Sequence, residues 1–176
     1  MKKINKVIWL TGLSGAGKST LAQYLHQELI EQNVQACIID GDDLRDKYKD
    51  LGFSNKDREI QIDRAIRLSI EKLDEGFFVI VALISPFSKM RELARKTIGH
   101  QKFIEVYLST PLNICEDRDI KGLYKKARMG LIKNMTGIDS TYEAPENSEI
   151  TIDTSHEPPK QAAIKILNFL KNNEIN

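Results

Sequence analysis

Gly12-Leu13-Ser14-Gly15-Ala16-Gly17-Lys18-Ser19 fills every fixed position of the pattern G-x-x-x-x-G-K-[ST]. The β-prone run Val7-Ile8-Trp9-Leu10 leads into it, and Leu21 to Ile30 follows with apolar residues at helical spacing. The motif therefore reads strand, loop, helix, which is the setting its chemistry needs. Glycines let the backbone curl until its N–H groups face a polyphosphate, the helix amino end adds positive potential, and a lysine reaches the β and γ phosphates. Gly12, Leu13, Ser14, Gly15, Ala16, Gly17, Lys18, Ser19 and Thr20 are thus the candidate ATP-binding residues. Lys18 is also a candidate catalytic group, and the Ser19 hydroxyl a candidate ligand of Mg²⁺.

Outward from this loop the chain alternates strand and helix. Val34 to Ile39 predicts a second strand, stopped by a polar turn at Asp40-Gly41-Asp42-Asp43. Ser54, with Asp57 three residues on, starts a helix that Gly76 ends. Phe77 to Ile84 is apolar without alternation, the pattern of a strand covered on both faces, and is expected at the centre of a parallel sheet. Helices follow over Pro86–Ile98 and Pro111–Arg118, with a strand at Phe103–Leu108 between them. A short strand at Ile150–Asp153 and a helix at Gln161–Leu170 close the series. The rhythm implies an α/β fold of three layers, α/β/α, with a mostly parallel five-stranded sheet whose ligands lie beyond the strands' carboxyl ends at Gly12, Asp40 and Ser85.

A chain of 176 residues with 41% hydrophobic and 29% charged residues is expected to fold as one domain over 1–176. Its 26 basic and 25 acidic residues give a net charge of +1, so no global field favours nucleic acid or a membrane surface. The apolar run at Phe77–Ile84 falls far short of the roughly 18 residues a membrane span needs, and no secretory leader pattern is seen. Cys37 and Cys115 lie in apolar-patterned segments and read as reduced thiols of a cytoplasmic protein. His26, His100 and His156 are scattered without metal spacing.

No N-K-x-D base-reading motif is present, which argues against a GTPase. A small kinase instead needs a carboxylate to orient the attacking hydroxyl, an acceptor pocket and a cationic cover for the transferring charge. Asp42, in the turn after the second strand, is the candidate base and a second metal ligand. Arg45 and Arg58 lie on the same side, where a guanidinium can grip a phosphate or sulfate with paired hydrogen bonds. From 119 to 147 periodicity weakens and Lys121, Lys125, Lys126, Arg128 and Lys133 accumulate, which predicts a basic lid.

Six blocks then carry a family resemblance. They are Asp40-Gly41-Asp42, Asp50-Leu51-Gly52-Phe53-Ser54, Ile84-Ser85-Pro86-Phe87, Arg118-Asp119-Ile120-Lys121-Gly122-Leu123-Tyr124, Thr136-Gly137-Ile138-Asp139 and Tyr142-Glu143-Ala144-Pro145. In order and spacing they resemble adenylylsulfate kinases from about Val7 to Asn147. The resemblance implies a phosphate-loop kinase fold, MgATP as donor, the 3′-hydroxyl of adenosine 5′-phosphosulfate as acceptor, and a homodimer. It also implies that Phe53 stacks on the acceptor base, that Ile84 and Ser85 line the acceptor pocket, and that Lys121 (a catalytic group), Leu123 and Tyr124 bring the lid onto both nucleotides. Arg128 would lie near the ATP base.

Three positions depart from the family pattern, all around the acceptor: Met135 stands for a usual phenylalanine, Gln61 for a usual asparagine, and Asp43 for another asparagine. Met135 and Gln61 remain candidate acceptor contacts. Methionine is soft and adaptable, so a different nucleotide conjugate, such as cytidine diphosphoramidate, stays open as acceptor, as does a nucleotide-binding module without turnover.

Overall fold

The computed structural model describes residues 5–52 and 54–173. Five strands form one parallel sheet: β1 Val7–Thr11, β2 Ala36–Asp40, β3 Phe78–Ala82, β4 Phe103–Leu108 and β5 Ile150–Ile152, in the spatial order β2-β3-β1-β4-β5. Both β1 and β3 are buried along their whole length, as their uninterrupted apolar sequence requires. β1, rather than β3, is the middle strand. The loop that follows β1 therefore emerges at the centre of the sheet's carboxyl edge.

Helices cover both faces: α1 Lys18–Glu31, α2 Gly41–Tyr48, α3 Asn55–Asp74, α4 Ser88–Ile98, α5 Leu112–Arg118, α6 Leu123–Arg128 and α7 Pro159–Asn173. One core cluster joins Leu21, Leu25 and Leu29 of α1 with Ile166 and Leu170 of α7 against Ile8, Ile80 and Val106. The opposite cluster packs Ile62 and Ile66 of α3 and Met90 and Ala94 of α4 against Trp9, Val79 and Val81. Cys37 is half-buried and Cys115 buried, and both are free thiols. Among the described residues no helix is long and apolar enough to cross a membrane.

The start of α3 shows how sequence sets local structure. The Ser54 hydroxyl accepts from the Asp57 amide, and the Asp57 carboxylate accepts from the Ser54 amide, a reciprocal cap of the expected kind. Two helices arise where none was expected. The polar turn at Asp40–Asp43 begins α2, because the Asp40 carboxylate caps it by accepting from the Asp42 amide at 2.9 Å. α2 buries only Leu44, so it leaves no apolar period in the sequence. Within 119–147, α6 starts because the Asp119 carboxylate accepts from the amides of Tyr124 and Lys125. Those amides, that of Lys125 first, hold the Asp119 carboxyl below its usual pKa.

Candidate active site

The phosphate loop is built by glycine. Gly15, at φ +75°, passes so close to Cys115 that an added Cβ would lie 2.8 Å from the Cys115 carbonyl oxygen. Gly17, at φ +95°, opens α1 without any side-chain cap, so the first amides of the helix are left to a ligand. Other elements hold the loop from outside. Thr110 and Thr154 donate to the Ala16 carbonyl, Arg118 donates to the Gly15 carbonyl at 3.1 Å, and Tyr124 donates to the Ser14 carbonyl at 2.9 Å.

Lys18 is only half-buried as a residue, but its ammonium lies inside the loop, donating to the carbonyls of Gly12 and Leu13 at 2.9 and 2.7 Å. Enclosure by the loop pushes its pKa down to about 8, and the nearby Asp40 and Asp42 offset this only in part.

Facing the loop across the sheet edge are two carboxylates with separate partners. The Ser19 hydroxyl donates to Asp40 Oδ2 at 2.6 Å, which puts Asp40 beside the candidate metal-binding serine. Asp42 is ion-paired with Lys121, which arrives from the segment after α5. Both side chains of that pair are half exposed to the cavity.

A cavity of about 530 Å³ runs from the phosphate loop past these carboxylates. Of the expected residues, Ser14, Gly15, Gly17, Lys18, Ser19, Thr20, Asp42, Arg45, Arg58, Gln61, Ile84, Lys121, Leu123 and Met135 line it. Burial lowers the pKa of both Arg45 and Arg58, which as guanidinium groups stay cationic at neutral pH. Arg45 donates to the Gly52 carbonyl, and Arg58 to Ser140 Oγ and the Asn134 carbonyl. Gln61 donates through Nε2 to the Gly41 carbonyl at 3.0 Å, which fixes its amide and leaves Oε1 buried without a partner beside the cavity.

Among the described residues, the other expected ones lie outside the cavity wall. Ser85 is not in the cavity wall: it is 2% exposed and its hydroxyl accepts from Trp9 Nε1 at 2.9 Å, on the opposite side of the chain from Ile84 and Pro86. Arg128 lies outside the wall, paired with Glu116 at 2.6 Å. Leu13 and Ala16 turn into the core instead of the cavity. Gly12 also lies outside the wall; it serves through close approach to Leu108 and through its carbonyl. Phe53 lies outside the described residues. Conversely, Asp40, Arg118, Thr154 and Pro159 line the cavity although the sequence reading gave none of them a role in the site. Asp40 was legible as a carboxylate at a strand end beside the loop; Arg118 and Thr154 are brought together only by the tertiary fold.

A glycine loop at the carboxyl edge of the middle strand, opposite paired acids, places the molecule in the class of phosphate-loop kinases. Residues 4–153 match the family described as adenylylsulphate kinase. The chain belongs to that family. It is 52% identical over 169 residues to the adenylyl-sulfate kinase of Pseudomonas aeruginosa, covering 96% of this chain and 86% of that protein. It is 44% identical over 176 residues to the adenylyl-sulfate kinase of Clostridium acetobutylicum, covering 99% and 88%. Among solved structures it superimposes on the Mycobacterium tuberculosis APS kinase CysC, in complex with AMPPNP and APS, with a TM-score of 0.90 and 40% identity over 95% of this chain and 98% of that one.

Proposed function

We propose that the protein transfers the γ-phosphate of MgATP to the 3′-hydroxyl of adenosine 5′-phosphosulfate, giving 3′-phosphoadenosine 5′-phosphosulfate. The observation that carries this reading is the shared cavity, with the phosphate loop at one end, the Asp42–Lys121 pair in its wall, and Arg45 and Arg58 on the acceptor side. Family membership supplies the substrate class.

In this reading the amides of the loop and Lys18 hold the β and γ phosphates, and Arg118 with Thr154 and Pro159 borders the nucleoside of ATP. Asp42 accepts the proton of the attacking hydroxyl, and Lys121, on leaving Asp42, meets the charge on the transferring phosphoryl group. Arg45 and Arg58 orient the acceptor, with Gln61 beside them and Met135 and Ile84 against its apolar surface. Ser19 and Asp40 offer one hydroxyl and one carboxylate, the sparse oxygen set that suits Mg²⁺, which fills its shell with water and phosphate oxygens. When bound, that ion would neutralise charge on the β and γ phosphates. Residues 119–147 serve as the lid of a single domain spanning 1–176, and the protein works as a cytoplasmic homodimer.

The test is incubation with MgATP and adenylylsulfate or a cytidine 5′-diphosphate conjugate, the product being located by ³¹P NMR. A 3′-phosphate on adenylylsulfate is expected. Turnover of the cytidine conjugate alone would overturn the choice of acceptor, and nucleotide binding with no turnover would overturn the enzyme.

Lys18 gives a pH prediction. Its pKa is lowered from 10.5 to about 8, so between those values the unfolded chain holds a proton that the folded one has released. Its own contribution to stability therefore rises with pH across that window. Bound polyphosphate restores the ammonium. At pH ~9 ATP binding should then take up close to one proton, about none at pH ~6.5, and Lys18→Met should abolish the uptake. Calorimetry in two buffers of unequal ionisation enthalpy measures it.

A further inference from the structure

Beneath the acceptor side of the cavity lies a buried charged group that the phosphotransfer reading does not use. Arg91 of α4 is 4% exposed and Glu105 of β4 is 7% exposed. Arg91 Nε sits 2.7 Å from Glu105 Oε1, in ionic contact but not aligned as a hydrogen bond. Arg91 Nη1 donates to the Ser85 carbonyl at 2.8 Å, and its guanidinium lies 5.9 Å from the ring centre of Tyr142. Arg95 adds a second cation at 3.5 Å from Glu105, itself paired with Glu149.

The carbonyl that Arg91 holds belongs to a strained residue. Ser85 has φ +47°, a left-handed conformation that a residue with a Cβ avoids. Its neighbours Ile84 and Pro86 line the cavity while Ser85 faces the core. Three successive carbonyls are tied down: Ile84 accepts from Thr11 Oγ1 at 2.6 Å, Ser85 from Arg91 at 2.8 Å with a longer contact from Thr11 Oγ1 at 3.5 Å, and Pro86 from the Glu143 amide at 2.8 Å. Only the Arg91 tie comes from a charge, and it is the shorter of the two on Ser85. A buried ion pair is a weak source of stability, since apolar residues of equal volume serve as well, so fixing this turn is the role that accounts for it.

We propose that Arg91, braced by Glu105, is a positioning residue for the acceptor: its grip on the Ser85 carbonyl keeps Ile84 and Pro86 in the cavity wall. This rests on the reading of that end of the cavity as the acceptor site. Arg91→Lys keeps the charge but loses the planar fork that touches Ser85 and Glu105 together. It should raise KM for adenylylsulfate about tenfold, the size of one lost charge-assisted hydrogen bond, with KM for MgATP within about twofold. The double variant Arg91→Met with Glu105→Leu removes the pair without stranding a charge. It should unfold at nearly the wild-type temperature and still show the raised acceptor KM. A rise in both KM values together, or in neither, overturns the proposal. Should the wild-type protein turn over no adenylylsulfate, the functional reading falls by itself and the clamp is judged by hydrogen exchange. Amides within residues 84–88 must then exchange about tenfold faster in Arg91→Lys while β1 and α1 stay unchanged, and equal exchange overturns it.

Discussion

Lys18→Ala is expected to lower kcat by about 10²–10³-fold, the cost of removing one preorganised donor from a site of developing negative charge. The ammonium is already enclosed by the loop and lies under the influence of both Asp40 and Asp42, so it stands where a terminal phosphate would meet the carboxylate side of the cavity. Its hydrogen bonds go to the carbonyls of Gly12 and Leu13, which must give up the ammonium to an incoming polyphosphate. The fold rests on other contacts, chiefly Thr110, Thr154, Arg118 and Tyr124 around the same loop. Thermal unfolding near the wild-type temperature, together with the kinetic loss, is therefore the expected pair of results. Full kcat in Lys18→Ala would remove the central group from the phosphotransfer reading.

Asp42→Asn is expected to lower kcat by about 10²–10⁴-fold, the range for loss of a positioned general base, with KM for MgATP little changed. The comparison that isolates this role is Asp40→Asn. Asp40 holds Ser19 and caps α2, so this variant should raise the Mg²⁺ concentration needed for half-maximal rate while leaving stability nearly unchanged, since asparagine caps a helix about as well as aspartate. Steady-state rates over a Mg²⁺ titration read both. An Asp42→Asn protein with unchanged kcat, or one whose defect is cured by Mg²⁺, would exchange the roles of the two acids.

The two acids also show what a sequence carries and what it does not. The loop was legible in full because its glycines and lysine act through backbone geometry fixed within eight consecutive residues. The strands and long helices were legible through apolar period, and α3 down to its Ser54–Asp57 cap. Which of Asp40 and Asp42 holds the Ser19 hydroxyl was not, because both sit at the same turn and the start of α2 sets their directions. The inward turn of Ser85 is not legible either, because it comes from a left-handed backbone tied to Trp9 and Arg91 by the tertiary fold. Arg118 and Thr154 are 36 residues apart and meet over Gly15 only through the register of β5 beside β4.

The contacts of Tyr124 and Glu143 have a consequence for what must move during turnover. Tyr124 ties one end of the covering segment to Ser14, and Glu143 ties the other to Ser88, while Arg58 clasps Asn134 and Ser140 between them. Lys121 on Asp42 and Tyr142 on Thr11 add further ties, and between them the side chains of Met129 and Leu131 stand out in water. The proposed phosphotransfer therefore asks Lys121 to part from Asp42 while the strands beneath keep their register.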